Sequence, residues 1–234
     1  MDEIKKMIDE IMVDIAKRRG EIKEIPKVPE RCESCYDGEF LYKNLPFVCE
    51  FYGDMNCLIF RELIKEEIGK IFLNVSIDKV EDKAKLILSN YLSNIKNMLR
   101  DGKGLNILGD IGTGKTSIVV LIIQKLFKEK LSFKYYYIKS FLDTQYENIN
   151  FNSFDFLFLD DIGVESLSEK DSLYLNYVID LRYRFKLPVV ITSNLSENEL
   201  RDKYPRVFDR LLSKNVKIVL EGSSRRKKLW DKKL

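Results

Sequence analysis

The sequence contains no histidine. Imidazole is thereby excluded as general base, proton shuttle or metal ligand. The chain's only cysteines are Cys32, Cys35, Cys49 and Cys57, so thiol chemistry is confined to one N-terminal window. With 5 prolines and 11 glycines in 234 residues, the chain is neither collagen-like nor of low complexity. No run reaches the ~20 apolar residues of a membrane-spanning helix. The N-terminus MDEIKKMIDEIMVDIAKRR lacks the apolar core and cleavage site of a signal peptide. Its acids Asp2, Glu3, Asp9, Glu10 and Asp14 do not suit a transit peptide, so a cytoplasmic protein is expected.

What is present describes a globular protein with a sizeable core: 45% hydrophobic and 33% charged residues. A net charge of +3 gives the whole molecule no strong electrostatic preference. The tail RRKKLWDKKL is locally basic and reads either as a solvated terminus or as a phosphate contact. The length suits one α/β domain with a small appendage. We expect residues 1–65 to form a small N-terminal domain suited to holding a partner and residues 66–234 to form the α/β domain.

The N-terminal stretch carries Ile4, Met7, Ile8, Ile11, Met12 and Ile15 at helical spacing. That face suits packing on its own domain or docking to a partner. Pro26 and Pro29 then punctuate the chain, LIFRELIKEEIG reads as a second helix, and a long amphipathic helix is expected from about Asp78 to Arg100. Beyond it, apolar runs LNILG, KYYYIK, FDFLFLD, PVVITS and VKIVLE alternate with helical stretches. Continuously apolar strands separated by helices predict a five-stranded parallel sheet covered on both faces.

The segment GDIGTGKT follows the first of these strands and opens a long helix. This is the setting in which G-x-x-x-x-G-K-[ST] binds phosphate. Gly109, Asp110, Ile111, Gly112, Thr113 and Gly114 would wrap the phosphates with backbone N–H groups at a helix N-terminus. Lys115 would reach the β- and γ-phosphates and Thr116 would ligate Mg²⁺. The strand FLFLDD supplies Asp160 as the water-mediated Mg²⁺ partner and Asp161 to polarise the attacking water. Two carboxylates ending a buried strand are costly without a cation to offset them. The run DDIG also fits a GTPase pattern, but no N-K-x-D guanine-reading segment accompanies it, which favours ATP. Asn194, at the end of PVVITSN, is an amide suited to sensing a γ-phosphate.

In order, KIFLNVSID, GKGLNILGDIGTGKT, FLFLDDIGVE, VVITSNLSENEL, RVFDRLLS and EGSSRR resemble the AAA+ ATPases of the DnaC/DnaI helicase-loader and IstB group. The resemblance covers about Lys70 to Arg226. It implies a P-loop AAA+ fold, the sensor role for Asn194, and an arginine finger at Arg210 acting in trans on a neighbouring subunit. It also implies a second sensor at Arg226, with Arg225 as the adjacent alternative, and self-assembly into a ring or spiral. The expected function is ATP-dependent loading of a hexameric DnaB-type replicative helicase, with binding of single-stranded DNA. The alternatives are an IstB-like transposition helper that engages duplex DNA and a transposase, and a nucleic-acid-binding module whose nucleotide is only structural.

Three departures from the group stand out. Asp161 replaces the glutamate common in AAA+ proteins, which points to weak intrinsic turnover. The 14 residues after Leu220 are too few for a helical lid, and the stretch SFLDTQYENINFNS is short where relatives place DNA-contacting helix. Tyr146 and Phe151 within it are read as packing aromatics, with base stacking as the alternative.

The cysteines follow C-x2-C-x13-C-x7-C. Around Cys32 and Cys35 there is no thioredoxin-like βαβ pattern, and a reducing compartment disfavours a disulfide. A four-thiolate zinc site at Cys32, Cys35, Cys49 and Cys57 fits best, with an iron–sulfur cluster or free thiols as alternatives. Zinc would staple a segment too small to hold itself, contributing on the order of 10 kcal/mol. The resemblance agrees, since DnaI-like loaders carry a zinc-binding N-terminal domain.

Overall fold

All five apolar runs are strands in the computed structural model, which describes residues 58–147, 149–163, 168–212, 214–222 and 224. In chain order the elements are α1 (Leu58–Glu67), α2 (Asp82–Ser93), α3 (Ile95–Asp101), β1 (Leu105–Gly109), α4 (Lys115–Lys128), β2 (Phe133–Tyr137) and α5 (Ile138–Asp143). They continue with β3 (Phe156–Ile162), α6 (Glu169–Arg184), β4 (Val189–Ser193), α7 (Glu197–Lys203), α8 (Pro205–Leu212) and β5 (Val216–Leu220). Short 3₁₀ turns occupy Lys70–Phe72, Ile77–Lys79 and Thr144–Tyr146.

The sheet has the order β2-β3-β4-β1-β5 and every neighbouring pair is parallel. Side chains alternate across it, and two separate cores result. Leu105, Ile107, Phe156, Phe158, Val190 and Ile218 pack beneath α2, α3 and α4. Leu108, Leu157, Leu159, Val189 and Ile191 pack against α5, α6, α7 and α8. The helix α4 is apolar almost all round, with Ile118, Val119, Val120, Leu121, Ile122, Ile123, Leu126 and Phe127 buried. It can be so because α1 and α2 cover the side turned away from the sheet. Each such fully buried aliphatic contributes about 1.5–3 kcal/mol.

The long helix expected over residues 78–100 is two helices. Asn94 separates α2 from α3, with φ −107° and ψ 20°. Its Nδ2 donates to the Asn90 carbonyl and to Asn90 Oδ1, both at 3.0 Å, so the side chain competes with the helical ladder. The stretch 196–214 is likewise divided. Pro205 has no N–H and disfavours helical geometry at Tyr204, which adopts φ −134° and ψ 61° between α7 and α8. The strand expected to run to Lys139 ends at Tyr137, where α5 begins and buries Ile138, Phe141 and Leu142. The boundary expected near residue 65 falls inside α1, whose Ile64 is fully buried in the core beneath α4. The N-terminal helical stretch and the four cysteines lie outside the described residues.

Among the described residues, no helix is long and apolar enough to cross a membrane. Strand β1 lies between β4 and β5 and is followed in the chain by β2, at the far edge. Such a reversal of strand order opens a crevice at the carboxyl ends of the strands, where parallel α/β sheets bind ligands.

Candidate nucleotide-binding site

The loop from Gly109 to Gly114 leaves β1 at this crevice and turns directly into α4. It needs three left-handed or near-mirror conformations, at Gly109 (φ 146°), Gly112 (φ 82°) and Gly114 (φ 106°). Only glycine adopts these cheaply. Space is equally restrictive: a Cβ at Gly109 would sit 2.3 Å from the Leu220 carbonyl oxygen. Asp110 and Ile111 stand at the exposed tip of the loop, and Thr113 is buried with its hydroxyl donating to the Asp110 carbonyl at 2.8 Å.

Lys115 begins α4 and is only 6% exposed. Its ammonium donates to the Gly109 carbonyl at 2.7 Å, to the Asp110 carbonyl at 2.9 Å and to Asn194 Oδ1. Thus the lysine of the loop and the amide at the end of β4 already touch. The next residue, Thr116, donates from Oγ1 to Asp160 Oδ2 at 3.1 Å. A hydroxyl and a carboxylate side by side form the hard-oxygen set that suits Mg²⁺.

Asp160 is 4% exposed and takes three hydroxyl donors. Besides Thr116, these are Tyr135 OH at 2.7 Å to Oδ2 and Thr192 Oγ1 to Oδ1. Burial, and then the negative charge of Asp160, push the Tyr135 phenol far above its ordinary value, so it remains a donor. Asp160 and Asp161 sit at a bulge: Leu159 pairs with Ile191 and Ile162 with Ser193, leaving both acids opposite the single residue Thr192. Asp161 takes the left-handed φ of 62°, and its N–H donates to Thr192 Oγ1 at 2.8 Å. A non-glycine residue in that region costs on the order of 1 kcal/mol, and such strain collects at functional positions.

The sequence reading therefore finds Lys115, Thr116, Asp160, Asp161 and Asn194 on three adjacent elements, β1–α4, β3 and the end of β4. It misses Tyr135 and Thr192. Arg210 lies on α8, where Nε donates to Asp180 Oδ1 of α6 at 2.7 Å and Nη2 approaches the same oxygen at 2.6 Å. Asp180 also pairs with Arg184 at 3.2 Å. Ser224 rests against the loop, since a Cβ at Gly112 would lie 2.1 Å from its hydroxyl oxygen. Arg225 and Arg226 lie outside the described residues. Phe151 is buried against Phe141, Phe154 and Tyr174 as a packing aromatic. Tyr146, in contrast, is 75% exposed, with the Lys170 ammonium 4.3 Å from its ring centre.

A parallel sheet of this order carries a lysine-bearing glycine loop after β1 and two acids near the end of β3. The chain is similar to the DnaC/DnaI group of AAA+ proteins. The replicative helicase loader DnaI of Bacillus subtilis (strain 168) is 27% identical over 187 residues, which is 68% of this chain. The match spans 59% of that relative's own length. Among solved structures, the DnaC helicase loader superposes with a TM-score of 0.57 at 22% identity, covering 65% of this chain and 99% of that one. AMPPCP-bound DnaA from Aquifex aeolicus gives a TM-score of 0.53 at 20% identity, covering 68% of this chain and 54% of that one. No protein-family profile matches the chain. In this DnaC/DnaI-like fold, β1 and β4 carry the lysine loop and Asn194 into contact, and β3 brings its acids beside Thr116.

Proposed function

We propose that this chain is an ATP-dependent loader of a hexameric DnaB-type replicative helicase, acting in the cytoplasm. The observation that carries the reading is the single connected cluster of Lys115, Asn194, Thr116 and Asp160 within a loader-like fold. Backbone N–H groups of residues 109–114 and the start of α4 hold the phosphates of ATP. Lys115 exchanges its carbonyl and amide partners for phosphate oxygens, which leaves Asn194 free to read the γ-phosphate. Thr116 and Asp160 would hold Mg²⁺, which would supply charge neutralisation to the phosphates of ATP. Asp161 orients the attacking water. Being one methylene shorter than glutamate and fixed at the bulge, it supports slow intrinsic ATPase turnover.

Arg210 completes the site of a neighbouring subunit, so turnover rises on assembly. Arg226 contributes the second sensor, and the seat of Ser224 against the loop supports a tail that comes close to the phosphates. The N-terminal part, residues 1–65, grips the helicase, with Cys32, Cys35, Cys49 and Cys57 holding a structural zinc ion. Single-stranded DNA is engaged by the exposed Tyr146 ring and the Lys170 cation against it, a pair suited to base stacking and phosphate contact.

Fluorescence anisotropy with labelled single-stranded and duplex oligonucleotides of equal length tests the DNA side. With ATP present, the single strand is expected to bind more tightly, and Tyr146→Ala to weaken it about tenfold. Tighter duplex binding, with ATP-dependent filaments, would replace the loader with the transposition-helper reading.

A further inference from the structure

Strands β2, β3 and β4 lie side by side in the sheet, and each delivers one polar residue to the same face. Tyr135 pairs with Phe158 across the β2–β3 ladder, so Asp160 stands two residues further on, on Tyr135's side of the sheet. Thr192 pairs with Ile107, whose side chain belongs to the core beneath α4. These are the three strands that carry Tyr135, Asp160 and Thr192 to the N-terminal turn of α4, where Thr116 meets them.

The division of donors over the carboxylate matters. Thr192 occupies Oδ1, while Thr116 and Tyr135 share Oδ2. If Thr116 turns its hydroxyl oxygen to a cation, one donor remains on each carboxylate oxygen, Thr192 on one and Tyr135 on the other. The plane of Asp160 then stays fixed as its first partner leaves. Thr192 does this while accepting the N–H of Asp161, so it ties the acid to the bulge that sets the second carboxylate. Groups that hydrogen-bond a metal-side carboxylate from behind set its orientation and govern metal affinity.

We infer that Tyr135 and Thr192 are positioning residues that hold Asp160 for the Mg²⁺ of a bound nucleotide, making the edge strand β2 part of the metal site. The inference rests on the reading of Asp160 as the magnesium-side acid.

The test uses the full chain and a fluorescent N-methylanthraniloyl ATP, titrated in EDTA and then across Mg²⁺ concentrations. Tyr135→Phe keeps the ring and the strand and removes only the donor. It is expected to raise the Mg²⁺ midpoint about tenfold while leaving affinity in EDTA unchanged. Thr192→Val is expected to raise the midpoint as well, and Thr192→Ser to restore it. Asp160→Asn is the reference for loss of the acid itself. A raised midpoint in Asp160→Asn with a normal one in Tyr135→Phe would overturn the inference alone. Equal weakening by Tyr135→Phe in EDTA and in Mg²⁺ would do the same, reducing the tyrosine to a structural part of the pocket. An unchanged midpoint in Asp160→Asn would remove the reading of the acid and the inference together.

Discussion

Arg210 shows how little a residue's stability contribution says about its proposed role. Its pair with Asp180 has side-chain exposures of 31% and 32%, and Arg184 shares the carboxylate. A half-exposed ion pair of this kind is worth about 0–1 kcal/mol, so its loss leaves the fold intact. In Arg210→Ala, nucleotide affinity is expected to stay at the wild-type value, while turnover in the assembled state falls on the order of 10³-fold. Equal turnover of wild type and variant under assembling conditions would leave Arg210 as a link between α6 and α8 only. Lys115, Thr116, Asp160 and Asn194 are legible in sequence because their spacing follows the chain from strand end to loop or turn. Tyr135 is not: KYYYIK offers three consecutive tyrosines, and only the register of β2 on β3 selects the one that meets Asp160. Thr192 is hidden similarly, since nothing local announces the bulge opposite it.

Among the described residues, α6 carries the largest fully buried side chain, and its sequence gives no warning of it. The segment DLRYRFK reads as the charged end of a surface helix, yet Arg182 is completely buried. Its Nη1 donates to the carbonyls of Phe151 at 2.6 Å and Phe154 at 3.0 Å, and its Nη2 to those of Asp155 at 2.7 Å and Pro188 at 2.9 Å. One guanidinium thus ties α6 to the entries of β3 and β4, the strand that carries Asp160 and the strand that leads into Asn194. Burial pushes it down to about 9, so it is still charged at neutral pH. Arg182→Met would leave four carbonyls without this donor and is expected to cost about 3–5 kcal/mol, measured by urea unfolding at pH 7. A loss below about 1 kcal/mol would mean that water replaces the guanidinium without penalty. The breaks at Asn94 and at Tyr204–Pro205 belong to this scale too. The break at Pro205 has a local signal, the missing N–H, although residues 196–214 read as one helical stretch in sequence. The Asn94 break depends on a side chain turning back onto its own helix.

For the whole molecule, strand–helix alternation identifies the parallel sheet, but strand order is a tertiary property. The position of β1 between β4 and β5 emerges only when α4 spans the sheet to place β2 at the far edge. That order brings the glycine loop, Asp160, Asp161 and Asn194 to one crevice, where the proposed nucleotide would lie within reach of a partner that contacts the strand ends. The proposed use of that switch is to hold a ring-shaped helicase and release it on DNA. Size-exclusion chromatography with light scattering tests this most directly, using the full zinc-loaded chain, ATP, Mg²⁺ and the hexameric DnaB-type helicase of the same source. The account predicts one complex heavier than the helicase hexamer by whole loader subunits. Two separate species, with and without ATP, would contradict it.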